Sequence, residues 1–170
     1  VHGQPPIVIE PHDVAWPAMF EAERDLLAPV LAPWAAGPIE HIGSTAVPGL
    51  PAKPIIDIMA GVRDLAASRP AIEALKPLSY CYFDYKGDVL HWFCKPSDQE
   101  RTHHLHLVPY ESPLWRERLA FRDRLRADAA VRAAYRDLKL RLAAEHRDDR
   151  EAYTDAKTDF ILATLARRND

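Results

Sequence analysis

His41-Ile42-Gly43-Ser44-Thr45-Ala46-Val47-Pro48-Gly49-Leu50-Pro51-Ala52-Lys53-Pro54-Ile55-Ile56-Asp57-Ile58-Met59 places a glycine turn, two hydroxyls, a lysine and one carboxylate between two apolar runs. The runs at 39–42 and 55–59 are short and isoleucine-rich, and Gly and Pro punctuate the chain between them. That pattern reads as strand, turn, strand. Side chains alternate along a strand, so Ile55, Asp57 and Met59 share one face. A carboxylate in an otherwise apolar strand is costly to desolvate unless a cation, a metal or several donors pair with it. Asp57 therefore marks a candidate site at the open end of a sheet, where ligands bind in α/β folds. The alternative is structural pairing with Lys53 or Arg63.

Further strands are expected at 80–84, 89–94 and 102–108, with Lys86-Gly87-Asp88 as a hairpin turn between the first two. Residues 64–75 read as a helix crossing between the second and third strands, with Pro77 just beyond its end. Upstream, Trp16, Phe20, Leu27 and Leu31 recur at helical spacing, and Pro29 and Pro33 are expected to end or kink that helix. All 15 prolines lie at or before Pro113, and the chain changes character there. Ser112-Pro113 offers a capping hydroxyl before a proline at the first helical position, opening a helix to about residue 126. Val131, Tyr135, Leu138 and Leu142 mark a second helix, and Asp148-Asp149 opens a third that carries Tyr153, Phe160 and Ala163. The expected fold is α/β (α+β), a mixed β-sheet flanked by helices. We expect a single domain over 1–170, with a sheet-containing core at 1–111 and a helical part at 112–170 docked on it.

Composition narrows the function classes. A net charge of −3, from 22 basic and 25 acidic residues, gives no broad attraction for nucleic acid or anionic lipid, so a phosphate-bearing partner needs a local cluster of cations. No apolar run reaches the length of a membrane span and no signal-peptide layout is visible, so a cytoplasmic protein is expected. Cys81 and Cys94 lack metal-ligand spacing and read as buried free thiols. Composition leaves the oligomeric state open.

In Gly43-Ser44-Thr45 the glycine lets backbone N–H groups approach an anion and the hydroxyls add donors, although neither the Walker A nor the dinucleotide pattern is present. Lys53, held extended by Pro54, can neutralise a phosphate beside that turn. In Arg101-Thr102-His103-His104-Leu105-His106-Leu107, His104 and His106 share one strand face. Two imidazoles there can chelate a metal with Asp57, orient a phosphate or act as a base. Arg122, Lys139, Arg150, Tyr153 and Lys157 sit on helices of alternating charge and read as solvated or ion-paired. Tyr153 and Lys157 stand out as neighbours on one helix face.

The stretches at 39–50 and 52–58 resemble the signature of the bacterial GrpB family. So do His103-His104-Leu105-His106-Leu107-Val108, Phe121-Arg122-Asp123-Arg124-Leu125-Arg126, Tyr135-Arg136-Asp137-Leu138-Lys139, Tyr153, Lys157 and Phe160-Ile161. That family is similar in fold to the nucleotidyltransferase superfamily, which transfers a nucleoside monophosphate with the help of metal. The resemblance implies that Gly43 and Ser44 hold a triphosphate and that Asp57 binds a divalent ion, magnesium or manganese. One position departs from the superfamily pattern: Met59 stands where a second carboxylate is expected, and a two-metal site needs several anionic oxygens.

Three readings follow. The first is a nucleotidyltransferase-like enzyme acting on a nucleotide and an unidentified acceptor. In it Ser44 and Thr45 cradle phosphates, Asp57 holds metal and Lys53 or Lys157 offsets charge, while His104, His106 or Asp84 completes the metal site or one histidine takes the acceptor's proton. The second is a silent nucleotide- or phosphometabolite-binding module. The third is a zinc-dependent hydrolase built on Asp57, His104 and His106.

Overall fold

A computed structural model describes residues 5–167, so the outermost residues of the expected domain, 1–4 and 168–170, lie outside the described residues. Five strands form one sheet: β1 (Ala35–Ile42), β2 (Ile56–Val62), β3 (Cys81–Phe83), β4 (His91–Pro96) and β5 (Arg101–Pro109). Their spatial order is β1-β2-β5-β4-β3. β2 and β5 run parallel at the centre, and the other neighbours are antiparallel. The sheet is thus mixed, as expected. The central pair sets the site: Asp57 lies opposite His104, and Met59 opposite His106.

The two faces carry different chemistry because strand side chains alternate. One face presents Ile56, Ile58, Ala60, Phe93, Leu105 and Leu107 to helix α1 (Trp16–Leu31), whose Trp16, Phe20, Leu27 and Leu31 complete the main core. Fully burying each of these large side chains contributes about 1.5–3 kcal/mol. Helix α1 runs through Pro29 and ends two residues later, before Pro33. Pro29 sits in the last turn, and the carbonyl its missing N–H would have bonded belongs to Asp25, an exposed residue that water can serve. At the edge of this face Glu23 of α1 accepts hydrogen bonds from Tyr80 Oη and Lys95 Nζ, both at 2.7 Å, so its buried carboxylate is paired.

The other face carries Asp57, Met59, His104, His106 and Trp92; the first of three C-terminal helices packs on it, and the other two pack on the loop before β2 and on Ile7. The three are α3 (Pro113–Ala127), α4 (Ala129–Glu145) and α5 (Arg150–Ala166). The first and third start where the sequence places them, and the second begins just after Asp128. Ser112, Asp128 and Asp149 each accept a backbone N–H of the first turn. Trp115 of α3 packs with Ile42, Met59, Leu90 and Val108, while Leu125 and Tyr135 pack on Val47 and Leu50 of the loop before β2.

Two expectations need correction. The helix read over 64–75 is reduced to one turn, α2 (Ala71–Ala74). Pro70 lacks the amide an earlier turn would need and disfavours a helical Arg69, while Asp64 and Ser68 spend their side chains on local turns. The crossing it was to make also differs, because β2 pairs with β5 and β3 goes to the sheet edge. Of the two thiols, both free, Cys94 is buried as expected and Cys81 only partly.

Candidate functional site

The loop between β1 and β2 begins with Gly43 in a backbone conformation, φ +72° and ψ −173°, that only glycine adopts without strain. The reason is Asp57. A Cβ on Gly43 would lie 2.6 Å from its Oδ2, so the glycine leaves room for the carboxylate to rest against the turn. Ser44–Ala46 then form a single 3-10 turn. The two hydroxyls part company here. Thr45 is buried with its Oγ1 2.9 Å from His41 Nε2, and is used inside the fold. Ser44 meets the hydroxyl of Tyr135 and remains at the pocket wall.

Asp57 is flanked by both expected histidines, with its Oδ1 3.2 Å from His104 Nδ1 and 3.6 Å from His106 Nε2. Arg118 of α3 points Nη1 at His106 Nδ1, 3.3 Å away. A guanidinium can only donate, so that nitrogen is the acceptor and the His106 proton sits on Nε2, facing Asp57. Burial, reinforced by the Arg118 charge, lowers the His106 pKa to about 4 and keeps the ring neutral. For Asp57 burial pushes the pKa up, but the flanking imidazoles of His104 and His106 outweigh it and hold the carboxyl well below its ordinary range. His104 turns Nδ1 to Asp57 and leaves Nε2 buried with no protein partner. Arg63, the other structural partner considered for Asp57, is used elsewhere, on the carbonyls of Ala35 and Pro33.

Around this carboxylate the helices gather cations. Lys53 Nζ lies 5.2 Å and Lys157 Nζ 4.4 Å from the centre of the Tyr153 ring, while Lys139 Nζ lies 5.4 Å from that of Tyr135 and donates to the Pro51 carbonyl at 2.7 Å. Burial and mutual repulsion lower Lys139 to about 6 and Lys157 to about 7, and burial also lowers Lys53, in each case against the pull of Asp57. Arg122 pairs with Glu40 at 2.6 Å and donates to the His41 carbonyl, and Arg126 Nε donates to the Ala46 carbonyl at 2.9 Å. Burial, with the Arg126 and Arg122 charges, lowers His41 to about 4 against the opposing pull of Asp57. Lys53, Lys139 and Lys157 thus gather near Asp57, and Lys139 and Lys157 change charge close to neutral pH.

Among the expected site residues, the structure brings together Gly43, Ser44, Asp57, His104, His106, Lys53, Tyr153 and Lys157. Thr45 turns inward, and Tyr153 is fully buried, so it supports the lysines through its ring. Asp84 does not join. It lies past the end of edge strand β3, three strands from β2, with its carboxylate against Gly87. Reading Lys139 as solvated is overturned, since it is only 2% exposed. The signal was present: Lys139 follows Tyr135 by four residues and precedes Leu142 by three, on the buried stripe. Arg118 and Trp92 were missed outright.

A resident metal finds no prepared centre. Among the described residues no three or more His, Cys, Asp or Glu are arranged to hold an ion. Asp57, His104 and His106 meet one another around a single carboxylate oxygen, and Met59 is fully buried with Ile42, Val108 and Trp115. One carboxylate falls short of the oxygen set that magnesium or manganese requires.

The profile of a family described as "GrpB protein" matches residues 6–167. The chain belongs to the GrpB family. A "Glutamate-rich protein GrpB" of Alkalihalophilus pseudofirmus is 34% identical over 160 residues, 91% of each chain. The crystal structure of "conserved protein GrpB from Enterococcus faecalis" superposes with a TM-score of 0.84 at 30% identity, covering 94% of this chain and 95% of that one. A chain named "Dephospho-CoA kinase" from Mycolicibacterium paratuberculosis is 30% identical over 169 residues, of which the match spans 85% of this chain and 41% of that protein. The GrpB-family chain has no helix, among the described residues, long and apolar enough to cross a membrane.

Proposed function

We propose that this GrpB-family protein binds the phosphate chain of a nucleotide and, acting in the cytoplasm, transfers a nucleoside monophosphate to an acceptor hydroxyl. The observation that carries the reading is the cluster of Lys53, Lys139 and Lys157 near the Gly43-Ser44 turn and Asp57, one lysine buried and two half-buried, all three with a lowered pKa. Clustered buried cations are costly until an anion with several charges joins them. A mixed sheet with a Gly-Ser turn ahead of an acidic strand, as in nucleotidyltransferases, supports the same reading. So does a related stretch in a chain named for a kinase.

In this reading Ser44 and the lysines hold the phosphates and offset charge that develops on the leaving group. Asp57 fixes the tautomer of His104, whose Nε2 takes the acceptor's proton. His106, kept neutral between Arg118 and Asp57, holds the carboxylate in place. No step is assigned to a metal, because the residues offer no prepared centre for one.

Titration calorimetry with ATP and with inorganic triphosphate tests the pocket, and binding is expected to persist in EDTA. Transfer is tested with α-labelled nucleotides, with and without magnesium or manganese. Asp57→Asn and His104→Asn are expected to keep triphosphate binding and to lose label transfer by about 100-fold or more, the usual size of a general-base contribution. Absence of binding for every nucleotide and for triphosphate would sink the reading. A second reading, a silent binding module, is favoured by Met59, which occupies the place of a second carboxylate. It predicts tight binding and no label transfer by the parent protein.

A further inference from the structure

The sheet face that carries Asp57 also carries a group of aromatic rings to which none of the roles above applies. Trp92 lies on β4 opposite His106, and its ring centre is 5.1 Å from that of His104 and 5.3 Å from that of Phe83, both at tilted angles. Tyr85, in the turn after β3, lies 6.3 Å from Trp92 and is 49% exposed. Phe83 and Trp92 are themselves only partly buried. Arg101 lies over the Trp92 ring at 5.3 Å, anchored by Asp98, and Arg118 is close enough to feel both Asp57 and Tyr85.

Asp57, His104 and Trp92 lie side by side across β2, β5 and β4, and Phe83 and Tyr85 adjoin Trp92. From β2 to β4 is two strand spacings, about 10 Å. Three partly exposed aromatic residues with a guanidinium on one ring make a surface that favours a flat π system, as in proteins that stack bases on aromatic side chains. An aliphatic or purely charged group would gain little from it.

We infer that Trp92, Phe83 and Tyr85 seat a planar heteroaromatic ring of the same ligand whose phosphate chain occupies the lysine pocket. The inference rests on the phosphate reading of that pocket and assigns the nucleobase its place. It makes the ligand a nucleotide rather than a simple phosphorylated metabolite.

The test compares inorganic triphosphate with ATP, GTP, CTP and UTP by calorimetry at fixed ionic strength. At least one nucleotide is expected to bind about tenfold or more tightly than triphosphate, by the usual worth of one stacked base. Trp92→Ala and Tyr85→Ala are expected to remove that increment and leave triphosphate binding unchanged, while Trp92→Phe keeps most of it. Tyr85 is exposed, so its variant keeps the test usable if Trp92→Ala fails to fold. Equal affinity for triphosphate and every nucleotide overturns the ring seat and leaves the phosphate reading standing, as does equal weakening of both ligand types by the variants. Failure of triphosphate itself to bind overturns the phosphate reading, and the joined ligand falls with it.

Discussion

Gly43→Ala is expected to lower the stability of the protein by about 1–3 kcal/mol from backbone strain alone, because φ +72° with ψ −173° belongs to a region that only glycine visits freely. For a chain of 170 residues that corresponds to a fall in Tm of about 2–12 °C. A second cost adds to it. The new methyl would sit 2.6 Å from Asp57 Oδ2 and 3.0 Å from Asp57 Cβ, so the carboxylate must leave its place and its two histidines. Thermal unfolding of Gly43→Ala, Asp57→Ala and the double variant separates the two costs. The glycine substitution should be less damaging when Asp57 is already alanine, since only strain and the lesser Cβ contact remain. Equal penalties in both backgrounds would mean that the carboxylate does not press on the turn.

Lys157→Met is expected to act oppositely on stability and on binding. In the folded protein burial, and then the charge of Lys53, lower Lys157 to about 7 from an ordinary 10.5. Between those values the unfolded chain holds a proton that the folded chain has released, so stability rises with pH across this window and the full penalty applies below about pH 7. Methionine removes that penalty. The variant should therefore unfold at a higher temperature than the parent at pH 6, with the gain shrinking as pH approaches 10.

Binding should suffer in return, because a charge-assisted hydrogen bond to phosphate is worth about 1.5–3 kcal/mol. Its loss weakens triphosphate by about tenfold to a hundredfold. For the parent protein, affinity should fall from pH 6 to pH 9 as the lysines lose their protons. Calorimetry in buffers of different ionisation enthalpy should show proton uptake on binding at pH 8. An affinity that stays flat over that range, together with a variant less stable than the parent at pH 6, would remove the pocket's assigned role.

Much of this site could be read from local sequence. Asp57 stood out because one carboxylate interrupts a strand of isoleucines, and alternation alone put His104 and His106 on a common face. What alternation cannot give is the neighbour across the sheet: that β2 lies beside β5, and so that Asp57 meets those histidines, follows from a crossover fixed by the whole core. The reading of Lys139 failed for a related reason. Charge pattern suggested a wet surface, whereas the packing of α4 against the loop before β2 buried that surface and left the ammonium a carbonyl to bond. The helix over 64–75 failed locally, because one proline and two side-chain turns outweighed an adequate composition.

The carbonyls of His41, Ala46 and Pro51 are held by Arg122, Arg126 and Lys139, all from α3 and α4. The loop that carries Ser44 is thereby riveted to those two helices, and a local opening of the loop alone would break three side-chain bonds at once. Loop and helices should breathe as one cooperative unit, with the amides of Ala46 and Val47 exchanging at the pace of the helices. A ligand entering this seam would then tighten distant helical turns as firmly as the loop it touches.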